Sequence, residues 1–377
     1  MSQFLLVRGF RAFGRALLCG VLAAACTAGH AASGGTPRAT GAPAIAETVI
    51  QADLSVPWDL AFAPDGRLFV TERMGDIVMF ESAKPNAKRV ATMRVPDVRS
   101  MGEAGLMGIA IDPDFAANSL VYVCASRLDA GEWRNQILRY KVGSTTIGFD
   151  GYVVRSGAQA ASIHDGCRLA FGPDGKLWAT MGDDGNGRSA QDPASLNGKV
   201  LRSNRDGSVP ADNPILPGTA ARTYAFSMGH RNPQGLAFQP STGVPFEIES
   251  GATTHDEINV IVAGKNYGWP DQEGPGGTTK GFADPIWTSG SVSYATSGAT
   301  FVTGDRWGPW AGSLFVATLK EQDLRRFVVN GQSVVPKEVL LDQKYGRLRS
   351  VVQGPDGALY VTTSNGSGDR IVRLAPQ

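Results

Sequence analysis

Short apolar runs alternate with polar turns along the chain after residue 45, and the alternation repeats as one unit. Each unit is an apolar run, a turn rich in Pro, Asp or Gly, and a second run with β-branched or aromatic residues. Pro presets φ, Asp caps its own turn and Gly allows positive φ, so each unit predicts a β-hairpin. Six copies occur, the last two weaker: WDLAFAPDGRLFVTE from Trp58, MGIAIDPDFAANSLVYVCAS from Met107, RLAFGPDGKLWATMGD from Arg168, QGLAFQPSTGVPFEIES from Gln234, GATFVTGDRWGPWAGSLFVATL from Gly298 and RSVVQGPDGALYVTTS from Arg349.

The spacing of the units indicates the architecture. Aligned positions lie 49, 60, 67, 63 and 52 residues apart, at Phe62, Ile111, Phe171, Phe238, Phe301 and Gln353. These lengths fit one four-stranded sheet per unit, so we predict an all-β fold, a six-bladed β-propeller over residues 46–377. The alternative, two stacked sandwiches, would not explain six copies of one hairpin. The run ETVIQADL before Trp58 is expected to complete the last blade and close the ring.

Residues 1–31 have the pattern of a cleaved export signal. Three arginines precede the apolar stretch ALLCGVLAAAC, and a small-residue cleavage site ends at Ala31. A membrane anchor is the alternative, but the apolar stretch is short for a bilayer, so no stable membrane span is expected. Cys26 is a weaker signal for a lipoprotein anchor. We therefore predict a periplasmic protein in which residues 32–45 form a flexible linker.

Composition and charge narrow the classes of function. The hydrophobic fraction of 42% is enough for a large core. Loss of the signal would remove three arginines and change the formal net charge from +1 to −2. A near-neutral protein gives no electrostatic reason to expect a nucleic-acid partner. Cys124 and Cys167 lie beyond the signal and form either a disulfide or two buried thiols; the sequence leaves both open.

Charged residues recur just before the first strand of several units. They are Glu103, His164, Arg231, Arg347 and, at the strand's beginning, Arg349. The first strand of a propeller blade lines the central channel, so these residues are expected at one channel mouth. A carboxylate, an imidazole and three guanidiniums are thus predicted to converge from four blades. The alternative is coincidence, because loops at a propeller rim are generally polar.

Seven stretches resemble the soluble quinoprotein sugar dehydrogenases, which use pyrroloquinoline quinone (PQQ), and most of all their aldose sugar dehydrogenase branch. They cover nearly the whole chain after residue 45, in order: PWDLAFAPDGRLFVTER, EAGLMGIAIDPDF, HDGCRLAFGPDGKLWATMGDDGN, LNGKVLRSNRDGSVPADNP, GHRNPQGLAF, HDEINVIVAGKNYGWP and RLRSVVQGPDGALYV. A single Pro-Asp-Gly hairpin is a weak signal. GHRNPQGLAF together with DEIN and NYGWP is specific to the family.

The resemblance implies a catalytic pair and a set of cofactor contacts. His164 would be the general base that takes the proton of the sugar hydroxyl, and Arg231 would stabilise negative charge at the reactive quinone carbonyl. PQQ is a tricarboxylate, so its pocket needs matched cations, and Arg presents a fixed fork to each carboxylate. The positions implied to contact PQQ are Glu103, Arg231, Asn232, Gln234, Lys320, Arg347 and Arg349.

The resemblance also implies two calcium sites. Main-chain oxygens of Gly251 and Ala252 would hold a Ca²⁺ that contacts the quinone. Glu257 and the main chain at Tyr267 would help to hold a second, structural Ca²⁺. Calcium prefers oxygen ligands, including backbone carbonyls, and polarises a carbonyl bound to it. The histidines beyond His30 show no zinc-ligand spacing.

Some positions depart from the family's usual pattern. Glu103 stands where Gln is frequent beside the cofactor, Ile163 where the glucose-oxidising branch has an acidic residue, and Ala252 where Pro is common. Asp165 is a candidate either for orienting the preceding histidine or for lining the sugar site. Residues 183–186 are interpreted as a turn near the pocket rather than as a calcium loop.

The predicted function is an exported PQQ- and Ca²⁺-dependent dehydrogenase that oxidises the anomeric hydroxyl of aldoses to lactones, with hydride transfer to the quinone. No CxxCH haem motif occurs, so electrons would leave to an external acceptor. The long insertions that make the glucose-oxidising branch a dimer are not evident, so a monomer is expected. Two alternatives stay open: a calcium-dependent lactone hydrolase, which needs no cationic cluster, and a non-catalytic binding propeller.

Overall fold

A ring of six four-stranded antiparallel sheets forms the fold of this chain in a computed structural model that describes residues 41–331 and 333–377. The predicted six-bladed β-propeller is therefore confirmed. The predicted export signal at residues 1–31 and most of the predicted linker at 32–45 lie outside the described residues.

Each blade runs outward from an inner strand, and strands are numbered in chain order. Blades 1 to 3 contain β2 (Pro57–Phe62), β3 (Leu68–Glu72), β4 (Asp76–Phe80) and β5 (Arg89–Arg94); β6 (Leu106–Ile111), β7 (Leu120–Asp129), β8 (Glu132–Val142) and β9 (Ile147–Val154); β10 (Gly166–Phe171), β11 (Leu177–Met181), β12 (Lys199–Ser203) and β13 (Ala225–Met228). Blades 4 to 6 contain β14 (Pro233–Phe238), β15 (Pro245–Glu249), β16 (Glu257–Val260) and β17 (Trp287–Thr288); β18 (Thr296–Phe301), β19 (Leu314–Thr318), β20 (Leu324–Asn330) and β21 (Ser333–Leu340); β22 (Leu348–Gln353), β23 (Leu359–Thr363), β24 (Asp369–Pro376) and β1 (Ile45–Leu54).

Among residues 41–331 and 333–377, helical structure occurs only in short connections. These are the α-helices α1 (Phe115–Asn118) and α2 (Gly187–Gln191) and the 3₁₀ turns Gly277–Lys280 and Asp305–Trp310. Within the part of the chain that the structure describes, no helix has the length and apolar character needed to cross a membrane.

The six predicted hairpins are the inner and second strands of the six blades. Their inner strands β2, β6, β10, β14, β18 and β22 contact one another in that order and close back on β2. The first strand of the chain pairs with the last, from Ile45 opposite Pro376 to Val49 opposite Val372, as ETVIQADL predicted. Closure by β1 leaves blade 6 with the four strands that every other blade has.

Every inner strand carries a register irregularity near its beginning, at the same end of the ring. In blade 1 the hydroxyl of Thr71 accepts a hydrogen bond from Asp59 N at 3.2 Å and donates one to Met107 O in the next blade. In blade 3 Thr180 accepts from Arg168 N at 2.9 Å. Because bulges re-aim the residues beside them, these turn the polar residues before each inner strand toward the channel mouth.

A charged layer crosses the channel below that mouth. The Arg168 guanidinium lies 2.6 Å from the Asp59 carboxylate, to which the Ser350 hydroxyl also donates at 2.7 Å. On the far side, the ends of the inner strands line a cavity of about 580 Å³ whose walls include Phe62 and Phe238. This cavity therefore lies at the opposite end of the channel from the predicted site, and apolar side chains form much of its wall.

A disulfide joins blades 2 and 3. Cys124 of β7 and Cys167 of β10 are bonded, with their Cα atoms 6.2 Å apart. Both are fully buried in the apolar core between the two blades. Of the two states that the sequence left open, the structure has the disulfide.

Candidate functional site

Glu103 connects three blades at the polar mouth of the channel. It precedes β6, and its Oε2 accepts hydrogen bonds from His164 N and Asn232 Nδ2, both at 3.0 Å. Gln234 Nε2 lies 3.4 Å from the same oxygen. The carboxylate thus draws the connection before β10 and the beginning of β14 to one point. His164 and Arg231 lie at the same mouth, as predicted, since Arg231 directly precedes Asn232.

Asp183 fixes the ring of His164. The imidazole Nδ1 lies 2.7 Å from Asp183 Oδ1, and Trp269 Nε1 donates to Asp183 Oδ2 at 2.7 Å. Asp183 is 1% exposed, whereas the His164 side chain is 13% exposed. With Nδ1 bonded to a buried carboxylate, the proton sits on Nδ1 and the lone pair sits on Nε2. His164 Nε2 makes no hydrogen bond with another described residue, so it is free to take a proton.

Asp165 has neither of the roles considered for it. Its carboxylate accepts hydrogen bonds from Asn135 Nδ2 at 3.1 Å and from Ala161 N at 3.0 Å, and the residue is fully buried, while the His164 ring bonds Asp183. Burial raises the pKa of Asp165 to about 7. The orienting carboxylate comes instead from residues 183–186, which do form a turn: Gly185 N donates to Asp183 Oδ1 at 2.9 Å.

Arg231 reaches across blade 4 toward the predicted calcium loop. Its Nη1 donates to Ser250 O at 2.9 Å and to Gly251 O at 2.8 Å. The guanidinium lies 5.3 Å from the centre of the Trp269 ring, and its Nε is buried without a hydrogen-bond partner. Trp269 therefore contacts both the imidazole's carboxylate partner and the arginine, which ties the predicted catalytic pair together.

A cationic wall closes the other side of the mouth. Arg349 is 3% exposed and its Nη1 donates to Gln234 Oε1, while its Nε has no partner. Burial, the main cause, and the guanidiniums of Arg347 and Arg73 lower the pKa of Arg349 to about 9, while Glu103 opposes the shift. Repulsion among these guanidiniums raises the free energy of the wall, and a bound polyanion would lower it.

Lys320 and Arg347 extend this wall through contacts with main-chain oxygens. Lys320 Nζ donates to Ser293 O at 3.0 Å, and Arg347 Nη1 donates to Leu319 O at 3.4 Å. Lys320 thus reaches from the end of β19 to the connection before β18, and Arg347 reaches from the connection before β22 to the end of β19. Neither forms an ion pair with a carboxylate in the described part of the chain, so their charges stay available to a ligand.

Three of the four residues predicted to bind calcium line a small cavity of about 10 Å³. Gly251, Glu257 and Tyr267 line it, together with Glu249. Burial and the neighbouring Glu249 charge raise the pKa of Glu257 to about 8, and burial raises that of Glu249 to about 7. Ala252, the fourth predicted residue, is exposed beside the cavity, where its N donates to Glu273 Oε1 at 2.7 Å.

Sequence reasoning missed Arg73, and it placed the turn of Asp183 near the pocket without its contact to the His164 ring. Arg73 follows β3, donates to Gly102 O through Nη1 and has a buried, unpartnered Nε. Both follow the second strand of a hairpin, and an antiparallel return brings that strand's end back beside the beginning of the first. Lys320 has the same position in its blade, since it follows β19, the second strand of blade 5. A search for polar residues after each second strand would have found all three.

Comparison with known proteins identifies relatives along almost the whole chain. The sequence model of the family described as Glucose / Sorbosone dehydrogenase matches residues 54–373. The aldose sugar dehydrogenase YliI of Escherichia coli K12 is 32% identical over 348 residues, covering 87% of this chain and 92% of that protein. Quinoprotein glucose dehydrogenase B of Acinetobacter calcoaceticus is 35% identical over 255 residues, which cover 60% of this chain and 52% of that protein.

Solved structures agree with these relatives. The PQQ-bound form of an aldose sugar dehydrogenase from Streptomyces coelicolor is 33% identical with a TM-score of 0.75, and the match covers 89% of this chain and all of that one. A structure from Thermus thermophilus described as a glucose dehydrogenase-type oxidoreductase is 37% identical with a TM-score of 0.79, covering 88% of this chain and all of that one.

Proposed function

Because the chain belongs to the glucose/sorbosone dehydrogenase family, a family of oxidoreductases, we propose that it oxidises the anomeric hydroxyl of aldose sugars to lactones with PQQ and Ca²⁺. The observation that carries the proposal is the pairing of His164 with buried Asp183 at 2.7 Å, across one mouth from a wall of partly unpartnered guanidiniums. A polarised base and a polyanion-binding wall are what oxidation by a tricarboxylate quinone requires.

The unpartnered donors fit PQQ. The Nε donors of Arg73, Arg231 and Arg349 are buried without hydrogen-bond partners. A buried donor without a partner costs about 1–3 kcal/mol, so this mouth is more stable with an acceptor-rich anion in place. Arg73, Lys320, Arg347 and Arg349 would hold the carboxylates. Asn232 and Gln234 would bond the edge of the ring.

PQQ, when bound, would act as the two-electron acceptor. The chain's own residues move the proton of the sugar hydroxyl. His164 Nε2 takes the proton from the sugar hydroxyl, and Asp183 stabilises the imidazolium that results. The Trp269 indole holds Asp183 in line at 2.7 Å, so the ring keeps its orientation through the transfer. Arg231, beside the Gly251 carbonyl, keeps a positive charge next to the reacting atoms.

The fit of calcium to the loop after β15 is supported less directly than the fit of PQQ to the mouth. Main-chain oxygens of Gly251 and Ala252 would hold one ion, which acts as a Lewis acid when bound, and Glu257 with the main chain at Tyr267 would help to hold a structural one. The cavity beside Gly251, Glu257 and Tyr267 supports the assignment, since buried carboxylates with raised pKa values favour a neutralising cation.

The disulfide supports export. Structural disulfides persist in oxidising compartments such as the periplasm, so the Cys124–Cys167 bond favours a periplasmic enzyme. We extend the proposal to a monomer that passes its electrons to an external acceptor. The two alternative functions, a lactone hydrolase and a binding propeller, would leave the cationic wall without a role.

One experiment separates these functions. Apoprotein is supplied with PQQ, Ca²⁺, both or neither, and reduction of a dye acceptor is followed with several aldoses; lactone hydrolysis is measured in parallel. We expect dye reduction only with both additions. His164→Gln should lower kcat at least about 100-fold while PQQ still binds. Lactone hydrolysis without PQQ, or no reaction with any aldose, would contradict the proposal.

A further inference from the structure

A second cluster of chemically active side chains lies behind the mouth, inside blade 4. His230, Glu247 and Glu249 bring their ligand-type atoms within 4.8 Å of one another, and all three are buried. On the facing strand, Glu257 is opposite Glu249 and Asn259 is opposite Glu247. Glu249 and Glu257 would repel each other if both were ionised, because like charges directly opposite each other destabilise a sheet.

No positive side chain neutralises these carboxylates. In residues 41–331 and 333–377, no Lys or Arg forms an ion pair with Glu247, Glu249 or Glu257. Lys199, a buried cation of blade 3, donates to the carbonyls of Ser189, Ala190 and Asn197 instead. Buried carboxylates must be paired, protonated or bound to a metal, so this cluster needs either protons or a bound cation.

The unpartnered atoms point to where that cation belongs. His230 Nδ1 and Glu247 Oε1 are buried without hydrogen-bond partners. His230 Nδ1 lies 3.7 Å from Glu247 Oε2 and 3.6 Å from Glu249 Oε2. These separations are too long for hydrogen bonds, but two ligands at about 2.1 Å from a tetrahedral ion are themselves about 3.4 Å apart.

The three side chains are also held in place from behind. His230 Nε2 bonds the Ser227 hydroxyl at 2.9 Å, and its ring stacks on Tyr267 with centres 4.7 Å apart. Asn259 Nδ2 bonds Glu247 Oε2 at 3.1 Å, and Arg231 N bonds Glu249 Oε2 at 3.0 Å. Outer partners of this kind orient the ligands of protein metal sites.

We propose that His230 Nδ1 and the carboxylates of Glu247 and Glu249 form a binding site for a divalent transition-metal ion of the zinc class. Calcium takes oxygen ligands, whereas an imidazole nitrogen with two carboxylates suits zinc or manganese. The ligand atoms differ from those assigned to calcium, and the inference does not depend on the proposed sugar oxidation. The ion would lock the carboxylate that holds the Arg231 amide, and so stiffen that side of the mouth.

The test uses the full chain, stripped with a chelator and then saturated with Ca²⁺ so that oxygen-ligand sites are filled. Zn²⁺ is titrated, bound metal is counted after desalting, and the melting temperature is recorded; Co²⁺ serves as a spectroscopic probe of imidazole ligation. We expect one Zn²⁺ per chain, a higher melting temperature and visible Co²⁺ bands. Glu247→Gln and His230→Gln should weaken Zn²⁺ binding at least about 10- to 100-fold, whereas exposed Glu81→Gln should not.

Two results would overturn the site. Either the unaltered chain, with calcium present, binds neither Zn²⁺ nor Co²⁺ at micromolar concentration, or Glu247→Gln binds them as the parent does. If Glu247→Gln is more stable than the metal-free parent and the parent binds no metal, the cluster is held by protons. The first of these results is measured on the unaltered chain, so it tests the site even if a variant fails to fold.

Discussion

Replacing Asp183 by Asn should slow sugar oxidation without removing the cofactor. The carboxylate accepts hydrogen bonds from His164 Nδ1 and Trp269 Nε1, each at 2.7 Å, and from Gly185 N at 2.9 Å. An amide of the same shape keeps one acceptor oxygen but turns an NH₂ group toward the other donors. It also removes the negative charge that stabilises the imidazolium.

The size of the loss follows from the bond that is removed. A hydrogen bond to a charged group contributes about 1.5–3 kcal/mol, and about 1.4 kcal/mol corresponds to a factor of ten in rate. We therefore expect Asp183→Asn to lower kcat by about 10- to 150-fold. KM for the sugar and the Kd for PQQ should change little, because both oxygens of the buried carboxylate already accept hydrogen bonds from protein donors.

Asp165 supplies a matched control. It is a second buried aspartate, adjacent in sequence to the same histidine, but it bonds Asn135 and Ala161 rather than the ring. Since burial raises its pKa to about 7, a neutral Asn resembles the form that it already adopts in part at neutral pH. Asp165→Asn should keep kcat within about twofold of the parent.

The assay is steady-state dye reduction with PQQ and Ca²⁺ in excess, with kcat and KM reported separately. PQQ affinity is measured by fluorescence titration, and circular dichroism checks that each variant is folded. A folded Asp183→Asn protein with the parent's kcat would refute the orienting role. Equal losses in the two variants would show that burial of charge near His164, not the hydrogen bond to its ring, is what matters.

Three further predictions concern the wall, the buried carboxylates and the disulfide. Arg349→Ala should weaken PQQ binding by about 1.5–3 kcal/mol, seen by titration of the apoprotein; unchanged affinity would remove this residue from the pocket. Glu249 and Glu257 have pKa values raised from 4.5 to about 7 and about 8, so the folded, metal-free chain holds protons that the unfolded chain releases. Its melting temperature should therefore fall as pH rises from about 5 to 8, and saturating Ca²⁺ should reduce that fall; a curve that rises with pH would contradict the raised values. Replacing Cys124 and Cys167 by Ser removes a disulfide between residues 43 apart in the sequence. This should lower the free energy of unfolding, measured with denaturant, by about 2–4 kcal/mol, and unchanged stability would contradict it.

The fold could be predicted because its information is local. A Pro-Asp-Gly turn between two apolar runs specifies a hairpin within a few residues, and six copies leave few arrangements other than a ring. Glu103, His164 and Arg231 each come just before an inner strand. Because all inner strands begin at the same end of the channel, these residues lie at one mouth. The structure confirms that placement; their chemical roles stay predictions.

The partners of those residues could not be predicted in the same way. Asp165 was the nearer candidate in sequence for the His164 ring, but Asp183 reaches it because β11 returns antiparallel to the mouth. Arg73 was missed for the same reason. These contacts form where the end of a hairpin's second strand lies beside the beginning of its first strand. The positions of polar residues before the first strands do not show which residues follow the second strands.

The sequence by itself determined the repeated hairpin, the ring of six blades and the set of residues before the inner strands, since each follows from turn chemistry and spacing. Tertiary structure alone decided which carboxylate holds the imidazole, that Cys124 bonds Cys167, and that His230 lies beside Glu247 and Glu249, which pair with no Lys or Arg of the described residues. Pairwise distances between blades and between neighbouring strands are set only when the ring closes, and the chemistry of both clusters depends on distances of a few ångströms.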